Sequence, residues 1–196
     1  MERLTNEMLN EKISHGTYGY IRYKKNNYGI KALVIAVFML VLAAVGYLIY
    51  GTFRNLIMVP TMVSVIPLAN MSACYFAMAR FKTAPLSQYA MLKNFDDAGM
   101  LLSDLIIVDS AGKRHLVDFA VVYKGGIVGY SSDSEDNKNA PQDHINSLLK
   151  KRGVPLTFRI YKDFDEFLKR IDGIPAAEDG GRNTELATET IINSCM

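Results

Sequence analysis

Tryptophan is absent from this chain, and cysteine and histidine are scarce. The 196 residues contain two cysteines and three histidines. Cys74 and Cys195 lie too far apart in sequence for a zinc knuckle or a disulfide framework, and two isolated thiols fit a reducing compartment. His15, His115 and His144 show no ligand spacing with one another or with either cysteine. We therefore expect no metal or other cofactor and no disulfide-stapled fold.

A strong excess of either charge is also missing. The chain has 22 lysines and arginines against 20 acidic residues, a net charge of +2, so total charge gives no argument for a nucleic-acid partner. Gly125 and Gly126 form a turn signal and not a phosphate-binding loop, and no serine stands in a nucleophile elbow. The sequence thus offers no complete catalytic set, which disfavours an enzyme without excluding one.

Two long stretches contain no charged residue. They cover residues 32–53 and 55–79, with Arg54 between them. Each exceeds the roughly 20 residues needed to cross about 30 Å of hydrocarbon as a helix. A buried helical pair in a soluble core is rarely apolar on all sides for so long, and a cleaved signal peptide would begin nearer the start. We predict a transmembrane hairpin over residues 32–80.

The lysines and arginines predict the orientation of this hairpin. Only Arg54 lies between the spans, in a turn around residues 50–55 to which Gly51 lends flexibility. Basic residues flank the hairpin on both outer sides: Arg3, Lys12, Arg22, Lys24, Lys25 and Lys31 before it, then Arg80, Lys82 and Lys93 after it. The positive-inside rule therefore predicts a multi-pass protein of the cell membrane with both termini in the cytoplasm.

Small residues recur at four-residue spacing in both spans and predict close helix packing. The rows are Ala69, Ala73 and Ala77 in the second span, and Ala32, Ala36 and Ala44 in the first. Pro60 and Pro67 predict a bent second span. Asn70 needs a polar partner in lipid, which favours an interhelical or self-association contact over a site in a transport pathway.

The leader, residues 1–31, combines tyrosines with basic residues close to the first span. These are Tyr18, Tyr20, Arg22, Tyr23, Lys24 and Lys25. Such a set can stack on bases or can lie in the lipid headgroup region. Because it adjoins a span, we interpret it as a lipid-interface segment.

Residues 81–172 predict a small cytoplasmic α/β (α+β) domain with the order helix, three strands, helix, strand, helix. The segments are 85–95, 101–110, 114–124, 127–132, 141–152, 154–162 and 164–171, the last with Asp163 as N-cap. We expect helices on one face of the sheet, with alternate residues His115, Val117, Phe119 and Val121 on one face of the second strand. Residues 173–196 predict a disordered tail, with at most a short helix near 185–192.

The strand region resembles the core of nuclease-related domains of the restriction-endonuclease-like class. In that family an aspartate-bearing strand is followed by a turn and by a strand carrying acid-x-lysine. Asp118 matches the aspartate, but Gly129, Tyr130 and Ser131 stand where acid-x-lysine belongs. The resemblance implies that Asp104, Asp109 and Asp118 would have to hold a divalent metal, with Lys113 or Lys124 as the lysine. The other interpretation of Asp118 is a hairpin carboxylate that pairs with Arg114 or Lys124.

The run HGTYGYIRYKK and the following spans also resemble a family of uncharacterised two-span membrane proteins of anaerobic gut Firmicutes. This resemblance implies the architecture and brings no activity with it. Three hypotheses follow: a membrane-anchored, non-catalytic module that binds a protein partner or regulates a neighbour, a nuclease-like hydrolase at the membrane, and a subunit of an oligomeric pore or transporter. Expected partners are the lipid bilayer and either another protein or a second copy through the spans.

Overall fold

A computed structural model describes residues 15–52, 56–133, 139–174 and 181–195. The chain divides into two compact units. One is the segment Ile21–Lys82, and the other joins the residues before it to those from Thr83 onward. The limits at residues 31 and 80 mark the predicted hairpin by charge and apolarity, whereas these units are defined by packing. Residues 20–31 of the leader continue the first helix, because lysine, arginine and tyrosine are compatible with helix.

The first long helix, α1, spans Tyr20–Tyr50. Its basic residues all lie in the first twelve positions, and the remainder is uncharged. Gly51 follows with φ +64°, and its N–H donates to the Tyr47 carbonyl at 2.8 Å. A left-handed glycine is a common helix stop, so Gly51 begins the predicted turn. Residues 53–55 of that turn lie outside the described residues.

The second apolar segment is two helices, α2 at Met58–Val63 and α3 at Val65–Ala79. They are separated at Ser64, whose hydroxyl donates to the Pro60 carbonyl at 2.8 Å. Pro67 has no N–H to offer the carbonyl four residues earlier, which belongs to Val63. The interruption therefore falls where Pro67 predicts it.

The inward face of α1 carries the small residues of the hairpin. Residues with reduced exposure recur every three or four positions and include Gly29, Ala32, Ala36, Met39, Ala43 and Gly46. A Cβ atom at Gly29 would lie 3.3 Å from the Tyr75 ring of α3. This contact brings residues 29 and 75 together across a turn near residue 52, so the two apolar segments run antiparallel.

Both apolar segments have the length and composition of membrane spans. Their large side chains stay exposed around most of the helix surface, for example Leu33, Leu40 and Ile66. A core helix of a soluble protein would instead be covered by the rest of its chain.

The second unit is built on a four-stranded mixed sheet. Its strands are β1 Leu101–Val108, β2 Arg114–Tyr123, β3 Gly126–Tyr130 and β4 Phe158–Tyr161, in the spatial order β1-β2-β3-β4. The first three strands form an antiparallel meander, and β4 is parallel to β3. A parallel neighbour requires a crossover connection, which contains helix α6. These strands and their order agree with the predicted arrangement.

Helices cover both faces of this sheet, so the prediction of a single covered face is wrong. The helices are α4 Leu86–Met91, α5 Lys93–Asp97, α6 Asn139–Lys151, α7 Phe164–Ile171 and α8 Arg182–Ser194. Ile145 of α6 and Ile191 of α8 belong to one apolar cluster. Leu92, between α4 and α5, and Phe167 of α7 belong to the other. Two covers are needed because β1, β2 and β3 are buried on both faces.

The tail predicted as disordered, with at most a short helix near residues 185–192, contains the longer helix α8 at Arg182–Ser194. Ala187 and Ile191 of this helix are fully buried in the core. Cys195 then makes a single antiparallel bridge with Ile107, at the outer edge of β1. Burial raises the pKa of the Cys195 thiol to about 12. Residues 175–180 and 196 lie outside the described part of the chain.

Candidate functional site at the buried carboxylates

Asp104 and Asp118 face each other across the two strands β1 and β2. The ladder pairs Ser103 with Phe119 and Leu105 with Val117, which leaves the two aspartates opposite one another without a ladder pair. Asp104 has φ +53°, the one left-handed residue other than glycine among the described residues. Asp118 is fully buried and Asp104 is 2% exposed. Two carboxylates therefore occupy a defect in the middle of the sheet.

In both strands, the alternation of side chains between the two faces of the sheet shifts by one residue at this defect. Leu102 and Leu105 lie in the same apolar cluster although they are three residues apart, and so do Val117 and Ala120. Regular alternation would place residues three apart on opposite faces. The prediction that Val117 and Phe119 share a face is consequently wrong, since Phe119 belongs to the other cluster.

Asp104 binds the two segments at which the chain leaves this unit. Its Oδ2 atom accepts hydrogen bonds from the Gly19 N–H at 2.8 Å and from the Thr83 hydroxyl at 3.0 Å. Gly19 directly precedes α1, and Thr83 follows α3 by a few residues. Gly16 strengthens the junction, because its carbonyl accepts from the Ser103 N–H at 2.7 Å. One carboxylate oxygen thus holds the entry and the exit of the apolar hairpin together.

Asp118 lies deeper and has fewer partners. Its Oδ2 atom accepts the Ser132 N–H at 2.5 Å, and among the described residues no group hydrogen-bonds its Oδ1 atom. Burial raises the pKa of Asp118 above its usual range. No ion pair joins it to Arg114 or Lys124 among the described contacts, so the hairpin pairing expected for Asp118 is replaced by a backbone hydrogen bond.

Asp109 belongs to a different part of the strand. It lies five residues beyond Asp104, which at about 3.3 Å per residue separates the two by roughly 16 Å. Its Oδ1 atom accepts the backbone N–H groups of Ala111 and Lys113, and its Oδ2 atom lies 3.0 Å from Nε2 of His115. The hydrogen bond with His115, then that from Lys113, lowers the pKa of Asp109. The three candidate acids therefore do not converge on one metal.

Packing leaves no room for an acidic side chain at residues 129–131, where the nuclease pattern has acid-x-lysine. A Cβ atom at Gly129 would lie 2.9 Å from the Phe158 ring. Tyr130 packs edge-on against Phe164, and the Ser131 hydroxyl donates to the Leu116 carbonyl at 2.6 Å. An apolar contact and a structural hydrogen bond thus stand where the nuclease pattern has acid-x-lysine.

A shallow cleft of about 380 Å³ lies beside Asp109. Its lining includes Asp143, His144 and Lys151 of α6, a neighbourhood that sequence spacing did not reveal because α6 follows Asp109 by some thirty residues. Within the described ranges, however, no three histidine, cysteine or acidic side chains come close enough together to hold a metal ion.

The tyrosines of the predicted lipid-interface segment divide between two environments. The Tyr18 hydroxyl donates to the Ala84 carbonyl at 2.8 Å, and its ring stacks on Tyr89 at 4.2 Å. Tyr20 is buried and its hydroxyl lies 2.9 Å from Nε2 of His15. These two rings pack within the sheet-containing unit, whereas the remaining members of the set, Arg22, Tyr23, Lys24 and Lys25, lie on the first turns of α1.

The small-residue stripe of the second span faces outward. Ala69, Asn70 and Ala73 are exposed and Ala77 is half-buried. Ala44 of α1 is also exposed, whereas Ala32 and Ala36 lie on the inward face. The stripe therefore does not pack the two spans of one chain together as expected, and the self-association contact of Asn70 stays a prediction.

Comparisons with known proteins give no family for this chain. No protein-family model matches it, and no curated protein or solved structure shows significant similarity.

Proposed function

We propose that this chain is a membrane-anchored, non-catalytic binding or regulatory module whose sheet-containing domain lies in the cytoplasm. The observation that carries the proposal is the double hydrogen bond to Asp104. Because Gly19 and Thr83 bind the same oxygen atom, both ends of the hairpin are fixed to the domain at one point. A chain anchored by this joint keeps the sheet-containing domain tethered to the membrane through both connections to the hairpin.

The same joint supports the proposed orientation. The Gly19 nitrogen and the Thr83 hydroxyl lie within 2.8 and 3.0 Å of a single atom, so the hairpin starts and ends on one side of a bilayer. Basic residues flank both attachment points, with Arg22, Lys24 and Lys25 on one side and Arg80 and Lys82 on the other. The positive-inside rule assigns that side to the cytoplasm.

The arrangement of the acids supports a non-catalytic role. Asp104 fixes the hairpin, Asp109 organises the β1–β2 turn, and Asp118 is enclosed in the sheet. Metal-assisted hydrolysis needs carboxylates that share an ion and a lysine or another group that stabilises charge. Here each acid has a separate structural partner.

In-cell photo-crosslinking tests the binding function. A photoreactive amino acid is placed at exposed domain positions Ser110, Thr157 or Lys169, and at Leu33 on the outer surface of α1 as a control. We expect at least one domain position to give a discrete adduct with one protein, while Leu33 gives lipid adducts or a different product. The absence of any discrete adduct from all three domain positions would contradict a binding module.

A nuclease-like hydrolase is the second candidate, and one observation favours it. Asp118 is buried opposite Asp104, and its Oδ1 atom has no hydrogen-bond partner among the described residues. Calorimetry with Mg²⁺ and Mn²⁺ on the full chain in detergent, with Asp118→Asn as control, separates the two candidates. The non-catalytic module predicts no difference between the two chains. Metal binding that Asp118→Asn abolishes would favour the hydrolase.

A further inference from the structure

The large apolar side chains exposed on the sheet-containing unit are confined to one short helix. Among the described residues of that unit, Leu86 is 67% exposed and Met91 is 64% exposed. Both belong to α4, and Ala90 between them is exposed as well. Scattered single apolar residues on a surface are ordinary, but here Leu86, Ala90 and Met91 lie on the exposed side of one helix.

The opposite side of α4 fixes its orientation. The Tyr89 ring stacks on Tyr18, and its hydroxyl donates to Asp96. Leu92, at the end of α4, is fully buried. Burial, with the hydrogen bond to Asp96, also raises the pKa of Tyr89. Because this side is held on the domain, Leu86 and Met91 cannot turn inward without breaking these contacts.

Helix α4 lies close to both points at which the chain leaves the sheet-containing unit. Thr83, at the exit of the hairpin, is three residues before Leu86, and three residues span at most about 10 Å. Tyr18, which packs on α4, is two residues before α1. Both attachment points therefore lie close to the exposed apolar side chains.

We propose that α4 is an interfacial helix that lies on the lipid bilayer, with Leu86, Ala90 and Met91 inserted at the boundary between headgroups and acyl chains. This inference rests on the proposed membrane location. The apolar face of an interfacial helix enters this boundary by roughly 5–10 Å, and exposed Lys82 and Lys93 on either side suit anionic headgroups. The contact holds the domain in one orientation on the membrane.

Fluorescence quenching in vesicles tests this contact on the full chain. Single cysteines at Leu86, Met91 or Ser110, in a background with Cys74→Ala and Cys195→Ala, carry an environment-sensitive dye. Ser110 is the control because it is exposed and lies at the other end of β1 from α4 and α5. The vesicles contain phosphatidylcholine and phosphatidylglycerol, with a shallow spin-labelled lipid as one quencher and iodide in the water as the other.

We expect the lipid quencher to reduce the signal at positions 86 and 91 at least about twofold more than at position 110, as suits insertion to that depth, with the reverse order for iodide. Equal lipid quenching at all three positions overturns the proposal. Protection of position 86 from iodide that disappears when the chain is diluted among more vesicles also overturns it, because this would indicate that a second copy covers the surface. Alkaline carbonate extraction is run first. A chain released by carbonate contradicts the membrane anchor itself, whereas a retained chain without quenching contradicts only the α4 contact.

Charge insertion gives a second readout that does not depend on the dye. Leu86→Glu is compared with Ser110→Glu, an exposed polar position at the other end of β1. We expect Leu86→Glu to increase hydrogen exchange and protease cleavage of residues 85–95 in vesicles, and Ser110→Glu to leave both near wild type. The same response from both variants would contradict lipid contact by Leu86.

Discussion

At the scale of single residues, Asp104 is the residue of β1 whose side chain joins the segments before and after the hairpin. Its left-handed backbone is unfavourable for most side chains, although aspartate and asparagine tolerate it better than others. In that conformation the carboxylate reaches both Gly19 and Thr83. A sequence pattern cannot reveal this, since the three residues are separated by as many as 85 positions.

Replacing Asp104 should weaken the domain through lost hydrogen bonds and through backbone strain. Asp104→Ala removes both hydrogen bonds and keeps a β-carbon in the left-handed region without the tolerance of aspartate, so we expect it to lower the free energy of unfolding by about 2–4 kcal/mol. Asp104→Asn keeps one acceptor oxygen and the backbone tolerance and should cost clearly less. Denaturant titration of the full chain in detergent, followed by circular dichroism, measures both. Equal stability of Asp104→Ala and wild type would contradict the joint.

Asp118 should make the domain less stable as the pH rises. Its folded pKa is raised by burial above the ordinary value of 3.8, so the folded state holds the proton more tightly than the unfolded state does. Stability is therefore greatest below that ordinary value and falls as pH rises through the folded pKa. Asp118→Asn removes this titration, and its unfolding free energy should vary less than that of wild type above about pH 4.

Asp109→Asn is the matched control for this pH profile. The hydrogen bond with His115 lowers the pKa of Asp109 below 3.8, so its contribution is present above that value and is lost as pH falls through the folded pKa. Removing Asp109 should flatten the acid side of the profile, in contrast to Asp118→Asn. An identical effect of both substitutions would contradict the assigned burial of Asp118.

At the scale of elements, local patterns predicted the regular parts well. The strands β1, β2 and β3 and the helix capped by Asp163 lie where alternation and capping indicate them, and the Asp163 side chain accepts from the Asp165 N–H at 2.9 Å. The sequence predicted at most a short helix near residues 185–192. It did not predict that α8 packs in the core, because its few apolar residues, such as Ala187 and Ile191, become buried only through distant contacts with the sheet. The shift in side-chain alternation at Asp104 and Asp118 was not predicted either, because it also depends on contacts between distant segments.

The close approach of Gly29 to Tyr75 allows a test of the hairpin packing. Gly29→Leu should separate α1 from α3, because the space beside the glycine is filled by the tyrosine ring. Tyr75→Ala in the same chain should relieve part of this effect, with a coupling of about 0.5–3 kcal/mol in a double-mutant cycle. Thermal unfolding in detergent measures the four chains. Strict additivity of the two substitutions would contradict this contact.

Asn70 tests whether the outer face of α3 mediates self-association. It is exposed among apolar residues, where an amide in lipid gains from a polar partner. Asn70→Leu should leave membrane insertion intact and shift the chain toward monomer in native mass spectrometry from detergent. Ile66→Leu, a mild change at another exposed position of α3, is the control. A monomeric wild-type chain would contradict both self-association and a pore.

At the scale of the whole molecule, the sequence predicted two apolar helices and a small domain with a three-strand meander and a fourth strand, and these are present. It did not predict that the segment before α1 packs with the residues that follow α3, as Tyr18 does with Ala84 and Tyr89. Charge and hydropathy patterns describe one segment at a time, whereas this arrangement depends on contacts between segments that are far apart in the chain. The leader and the post-hairpin residues consequently form one joint.

The central claim is that a membrane hairpin is fixed by both ends to a domain on one side of the bilayer. Labelling with a membrane-impermeant thiol reagent tests it, using single cysteines at Thr52 near the hairpin turn, at Thr17 before α1 and at Ser110 in the domain, all of them exposed. The account predicts that intact cells label only position 52, and that inverted vesicles label positions 17 and 110 but not 52. Labelling of positions 17 and 110 from opposite sides, or of position 52 from the same side as either, would contradict it.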